Sequence, residues 1–212
     1  MSANKTDDAQ TIFSTEDQDT LCTVGSVAMD AVGATLSTLL NRDVKITSPK
    51  VSILTWDGLR DMYGDGGIGV RGNYIEGLSG ANFLILRDKD AKIIANAMMG
   101  GAGQVDFPIV IDEMDLSAVR EAMNQMIGTT ATTLSKICSK RINIDVPETI
   151  ILPPTDDMLL WQLGFASNKY IAMIDFRIEI SGLINSEFVQ IFHLDTAIEL
   201  ISSYKTNILE AV

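Results

Sequence analysis

The chain reads as a single α/β domain of the α+β kind, in which one helix–strands–helix unit is used twice about an internal pseudo-twofold axis and long helices cover a β-sheet. Three observations carry that reading. A spaced pattern occurs twice, 98 positions apart: Ser117-x3-Glu121-x2-Asn124-x22-Pro147 and Asp19-x3-Thr23-x2-Ser26-x22-Pro49. The order of helical and extended periodicities after each copy is the same, and Thr35-Leu36-Ser37 returns as Thr133-Leu134-Ser135. Finally, 212 residues that are 46% hydrophobic and 21% charged suffice to bury one substantial core. The half-repeats run over about 13–105 and 106–212, behind a polar tail at 1–12 that is expected to be disordered.

Each element follows from local chemistry. Ser14-Thr15-Glu16-Asp17 is a capping signal, with acids in the first turn. The long helix after it extends to about Asn41, with Leu21, Val24, Ala28, Ala31, Val32, Leu36, Leu39 and Leu40 on its apolar side. Val44 to Thr47 is extended, Pro49 forbids helix there, and strands are expected at Val51–Leu54, Ile68–Ile75 and Asn82–Leu86. Asp88-Lys89-Asp90 opens a shorter helix over Ala91–Met99, which ends at Gly100-Gly101. The second unit repeats this order: a long helix from Ser117 to about Ser139, strands near Ile142–Asp145, Thr149–Leu152, Ile171–Ile180 and Phe188–His193, and a closing helix from Asp195. Gly77-Leu78 recurs as Gly182-Leu183, and Asn82–Leu86 matches Glu187–Ile191 at an offset of 105, so about seven residues are inserted near Pro153-Pro154-Thr155-Asp156-Asp157.

Composition excludes several functions. A net charge of −12 argues against nucleic acid, whose phosphates require clustered Lys and Arg, and favours a protein partner. No run nears ~18 uninterrupted apolar residues, so no transmembrane segment is expected. The first residues lack the basic and apolar regions of a secretory signal. Cys22 and Cys138 lie within apolar helical patterns without metal-ligand spacing, as buried reduced thiols of a cytoplasmic protein do.

Only the second copy of the repeated pattern keeps functional side chains. Residues three apart on a helix share a face, so Glu121 and Asn124 point together, with Ser117, Arg120, Gln125 and Gly128 on or beside them. Ala122, Met126, Ile127, Leu134, Ile137 and Cys138 fall on the opposite side. A carboxylate and a carboxamide make a short kit, without histidine base, nucleophile or metal cluster. The carboxamide holds a water by one end and an electrophilic oxygen by the other, which suits phosphoryl transfer governed by positioning.

The repeated pattern resembles that of the CheC/CheX/FliY phosphatases of bacterial chemotaxis, over nearly all of residues 14–204. The runs Leu116-Ser117-Ala118-Val119-Arg120-Glu121-Ala122-Met123-Asn124-Gln125-Met126, Val44-Lys45-Ile46-Thr47-Ser48-Pro49 and Tyr74-Ile75-Glu76-Gly77-Leu78-Ser79-Gly80 are most similar to its flagellar switch member. The resemblance implies a CheC-like fold and hydrolysis of the aspartyl phosphate on the response regulator CheY. Asn124 would orient the attacking water and Glu121 would pair with the receiver's lysine, with Ser117, Pro147, Asp19 and Pro49 as the supporting frame. It implies no cofactor on this chain, Mg²⁺ on the receiver, flagellar switch proteins as further partners, and a cytoplasmic place at the periphery of the basal body. Thr23 and Ser26 depart from the pattern, so the first site is expected to be nearly silent. The flagellar member's ring-forming domain and CheY-recruiting peptide are not read here, which leaves open a piece of a longer switch protein or a free-standing phosphatase. The alternatives are a non-catalytic switch scaffold that binds CheY or switch components, and an adaptation regulator that binds a deamidase.

Other residues read as structural. His193, the only histidine, has no catalytic partner in recognisable spacing, and the ten methionines are read chiefly as core filling. The Gly64–Gly69 run lacks the context of a phosphate loop. Trp56 and Trp161 occupy matching places, as edge anchors or partner contacts.

Overall fold

A computed structural model of the chain describes residues 12–62, 66–152 and 170–210. The tail, the insertion near Pro153 and the start of the glycine run fall outside the described residues, as does the packing of Trp56 and Trp161. Helix α1 (Thr15–Leu40) begins at Ser14, whose hydroxyl accepts from the Asp17 N–H while the Asp17 carboxylate accepts from the Ser14 N–H, a complete capping box. It ends at Asn41 in the left-handed conformation that asparagine tolerates. Strand β1 (Val44–Thr55) follows, then the short helix α2 (Trp56–Met62), β2 (Gly67–Glu76), β3 (Ala81–Arg87) and α3 (Asp88–Met98). The second unit supplies α4 (Glu113–Ile137), β4 (Asn143–Ile144), β5 (Glu148–Leu152), β6 (Tyr170–Ile180), β7 (Ile184–His193) and α5 (Leu194–Glu210).

Several elements differ from expectation: α2 is not foreshadowed in the sequence, β7 starts at Ile184 rather than Phe188, and two further differences have clear local causes. α4 starts at Glu113 rather than Ser117, because Asp112 and Asp115 form a second capping box that adds a turn. Subtracting 98 from Asp112 and Asp115 gives Ser14 and Asp17, so the repeat includes the caps. β1 is one strand rather than two, running past Pro49 through a bulge between Thr47 and Lys50 with Ser48 at φ 57°. A proline removes a ladder donor and is tolerated where pairing already breaks. The equivalent break in the second unit separates β4 from β5 around Pro147. Asp145 pins that break to β2, accepting from the Asn73 backbone N–H at 2.9 Å and from its side-chain amide at 2.7 Å.

The sheet is antiparallel throughout, in the order β1-β6-β7-β3-β2, with β4 and β5 both pairing on β2. Each unit's first strand thus crosses to the other unit's hairpin, and the pseudo-dyad passes between β3 and β7. α1 and α4 pack on one sheet face and on each other, their Thr35 and Thr129 hydroxyls 3.2 Å apart. The large core lies beneath them around Phe176, Phe188 and Phe192, the first two rings stacked at 5.5 Å. A smaller cluster around Phe83, Met173 and Ile191 with Leu59 of α2 covers the opposite face, which explains why β3 is buried on both sides. By length and composition α1 is apolar enough to cross a membrane, yet Leu21, Val24, Met29, Val32 and Leu36 are packed in this core. Cys22 is half-buried and Cys138 buried; desolvation pushes both thiols up, away from reactivity. His193 packs edge-on to the Phe83 ring, as a structural residue does.

The repeated Gly77 and Gly182 close the two hairpins at φ 88° and 73°. A Cβ on Gly182 meets open space, whereas one on Gly77 would sit 2.1 Å from the Arg141 carbonyl oxygen. Gly182→Ala should therefore cost about 1 kcal/mol from backbone strain alone, and Gly77→Ala about 3 kcal/mol because a backbone clash adds to it. Equal urea midpoints for the two variants would contradict this account.

Candidate functional site

α4 carries the second copy of the motif on its outer face. Val119, Ala122, Met123, Met126 and Ile127 are fully buried, which orients the helix. Rotation by the remaining angle exposes Ser117, Arg120 and Glu121 and leaves Asn124 half-buried beside them. Ser117, Arg120, Glu121 and Asn124, with Ala118, line one open depression of about 580 Å³ whose other wall is Met98, Met99 and Met114. Met123 and Met126 are core residues as expected and Met98 is half-buried against the same core, but Met99 and Met114 are not, a correction to the core-filling expectation. Met99 and Met114 are 47% and 68% exposed.

The four polar side chains are held differently. Glu121 accepts from the Gln125 amide at 2.7 Å, one turn along the helix, a contact on the solvent side that fixes its rotamer without burying its charge. The Arg120 guanidinium donates to the Thr149 hydroxyl at 3.3 Å, tying α4 to the strand that starts after Pro147. The Asn124 amide oxygen is shielded and has no hydrogen-bond partner. A buried acceptor without a donor is uncommon and costs free energy, so this side chain is poised to gain a bond. Turning about χ2, a soft torsion in asparagine, presents either end of the amide to the depression. Gly128, next along this face, has open space where a Cβ would be, so its lack of a side chain serves no packing within the chain.

The first copy holds its side chains differently. The Thr23 hydroxyl donates to the Asp19 carbonyl at 2.8 Å, within its own helix. Ser26 is half-buried, and the Cys22 thiol at the position equivalent to Arg120 meets the Pro49 carbonyl at 3.5 Å. Both prolines thus lie at strand breaks beside the motif helices, which accounts for the fixed spacing of 22 residues.

An ion pair joins the two helices that wall the depression, with its carboxylate buried and its ammonium half-buried. Lys92 of α3 donates to the Asp115 carboxylate at the start of α4. Burial pushes the Asp115 carboxyl up, but the Lys92 ammonium and the Asp112 N–H outweigh it and hold it below the usual carboxylate range. The same hydrogen bond raises the Lys92 ammonium above its ordinary value. Sequence periodicity did not reveal this pair, because its partners lie on different helices; the acidic pair spaced by three before the helix was its one local sign. Among the described residues no group of three or more His, Cys, Asp or Glu is placed to hold a metal.

The CheC-like family model matches residues 114–151, from the first turn of α4 through β5. The flagellar motor switch phosphatase FliY of Bacillus subtilis is 35% identical over 187 residues, 88% of this chain and 49% of that protein. The CheY-P phosphatase CheC of the same organism is 28% identical over 139 residues, 63% of this chain and 65% of that protein. The chain therefore spans about half the length of the first of these relatives and just under two thirds of the second. The crystal structure of Thermotoga maritima FliY superposes with a TM-score of 0.80 at 34% identity, covering 92% of this chain and 98% of that one. With its antiparallel sheet, paired long helices and motif-bearing outer face, the chain belongs to the CheC-like family.

Proposed function

We propose that this chain hydrolyses the aspartyl phosphate of a CheY-type receiver domain, with Asn124 orienting the attacking water and Glu121 pairing with the receiver's lysine. The observation that carries the proposal is the side-by-side placement of Glu121 and Asn124 at an open depression on α4, in a chain whose relatives are named as a flagellar motor switch phosphatase and a CheY-P phosphatase. The unpartnered amide oxygen of Asn124 supports it: once χ2 turns it toward the depression, a water in line with the phosphorus satisfies that acceptor, while the amide N–H groups are left to donate to a phosphoryl oxygen. With Mg²⁺ assigned to the receiver, the chemistry this chain supplies is positioning. An acyl phosphate is already labile, and a hundredfold gain corresponds to about 2.7 kcal/mol of barrier, within reach of two oriented side chains. Ser117, Pro147, Asp19 and Pro49 then serve as frame, and the place of work is the cytoplasmic periphery of the flagellar switch, among switch proteins.

The test is phosphate release from a phosphorylated CheY-type receiver, followed with and without this chain. Release at least tenfold above the receiver's own decay is expected at saturating chain. Binding without acceleration would reject hydrolysis and make the chain a switch scaffold instead.

A further inference from the structure

The two motif faces differ in more than Glu121 and Asn124. The helices that flank them are equivalent at an offset of 106: Asp90, Ala91, Ile94 and Ala95 of α3 are buried, as are Thr196, Ala197, Leu200 and Ile201 of α5. On that alignment Met99 corresponds to Lys205, and at the offset of 98 Met114 corresponds to Glu16. In the first unit these positions are bridged, Lys205 meeting Glu16 at 2.8 Å and Asp17 at 2.9 Å. In the second they are two exposed thioethers facing the depression. The same scaffold position is thus closed by charge where the motif is degenerate and left apolar where it is intact.

We propose that Met98, Met99 and Met114 form a collar onto which the phosphorylated receiver docks, so that the methionines carry affinity for the partner while Glu121 and Asn124 carry the step. The inference rests on the reading in which Asn124 faces an aspartyl phosphate. The occupant follows from continuity: Met114, Ser117, Glu121 and Asn124 share one helical face and one depression, so a protein surface whose reactive group reaches Asn124 covers the methionines as well. Thioether side chains are unbranched and adaptable, which lets such a collar fit an apolar surface without a matched set of hydrogen bonds. Loss of that contact raises the concentration needed for docking without altering the oriented groups.

The experiment transplants the first unit's ion pair as Met99→Lys together with Met114→Glu, a change that leaves net charge unchanged and whose geometry this fold already accommodates. Phosphate release is measured against chain concentration, and binding to a receiver carrying beryllium fluoride as acyl-phosphate mimic is measured by titration calorimetry. The half-saturating concentration should rise tenfold or more, with the maximal rate within twofold of the unaltered chain; Met99→Ala with Met114→Ala should show the same split more weakly. Lys205→Met with Glu16→Met, on the other face, should change neither. An unchanged half-saturating concentration in the double variant overturns the collar while leaving hydrolysis standing. Should the unaltered chain bind without hydrolysing and the double variant bind tenfold more weakly, the collar stands and the catalytic reading falls. Absence of binding by the unaltered chain overturns both.

Discussion

Phosphate release from a phosphorylated receiver should return to the receiver's own rate when Asn124 is replaced by Ala, while binding of the receiver stays within about twofold of the unaltered chain. The expected loss is the whole acceleration, on the order of a hundredfold or about 2.7 kcal/mol of barrier. The reason is that the carboxamide acts by holding a water in line, which is a contribution to the transition state and not to the ground state. Glu121→Gln should behave differently. It keeps the size of the side chain but removes the charge meant for the receiver's lysine, so weaker binding is expected alongside a smaller drop in maximal rate. Ser26→Ala should change nothing, because a hydroxyl on one carbon cannot reach as a carboxamide does, and the neighbouring Thr23 is already bonded to its own helix. Residual acceleration in Asn124→Ala that disappears when Ser26→Ala is added would sink the one-site account.

How much of this was legible in the sequence depended on whether a feature was local or periodic. The caps at Ser14 and the run of buried residues on α1 were readable because both obey short fixed spacings. So was the outer face of α4, since Glu121 and Asn124 are three apart and Met123, Met126 and Ile127 fix the opposite side. The first turn of α4 was missed because Asp112 through Leu116 has no apolar periodicity of its own; it is helical by virtue of its capping box. Pro49 suggested two strands, but a strand survives a proline when a bulge falls at the same place. The core-filling expectation fails for Met99 and Met114, because they come from two helices whose mutual placement no single-helix pattern contains. The Lys92–Asp115 pair escaped for the same reason, being set by how α3 docks on α4.

That pair yields an expected effect on stability as large as that of Gly77. Asp115 is the third residue of its helix and equivalent to Asp17, yet their surroundings differ: the Asp115 side chain is 2% exposed and that of Asp17 is 29% exposed. Asp17→Ala should cost about 1 kcal/mol, the usual worth of a cap, since its ion pair with Lys205 keeps partial contact with solvent and is screened by it. Asp115→Ala removes a cap and a desolvated charge-assisted bond together and should cost about 3 kcal/mol, a large share of the 5–15 kcal/mol that holds a domain folded. The pH dependence follows from the direction of the shift. Asp115 titrates below its unfolded value near 3.8 in the folded chain, so its contribution is complete above that value and is lost as pH falls through the folded one. Replacing Lys92 by Met reverses the sign. Burial then prevails, the folded carboxyl rises above the unfolded value, and the variant loses stability as pH increases through it. The deficit of Lys92→Met relative to the unaltered chain should therefore widen between pH 4 and pH 7 in urea denaturation. A deficit that is constant over that range would mean that the Asp112 N–H suffices to keep the Asp115 carboxyl from rising above its unfolded value once Lys92 is gone.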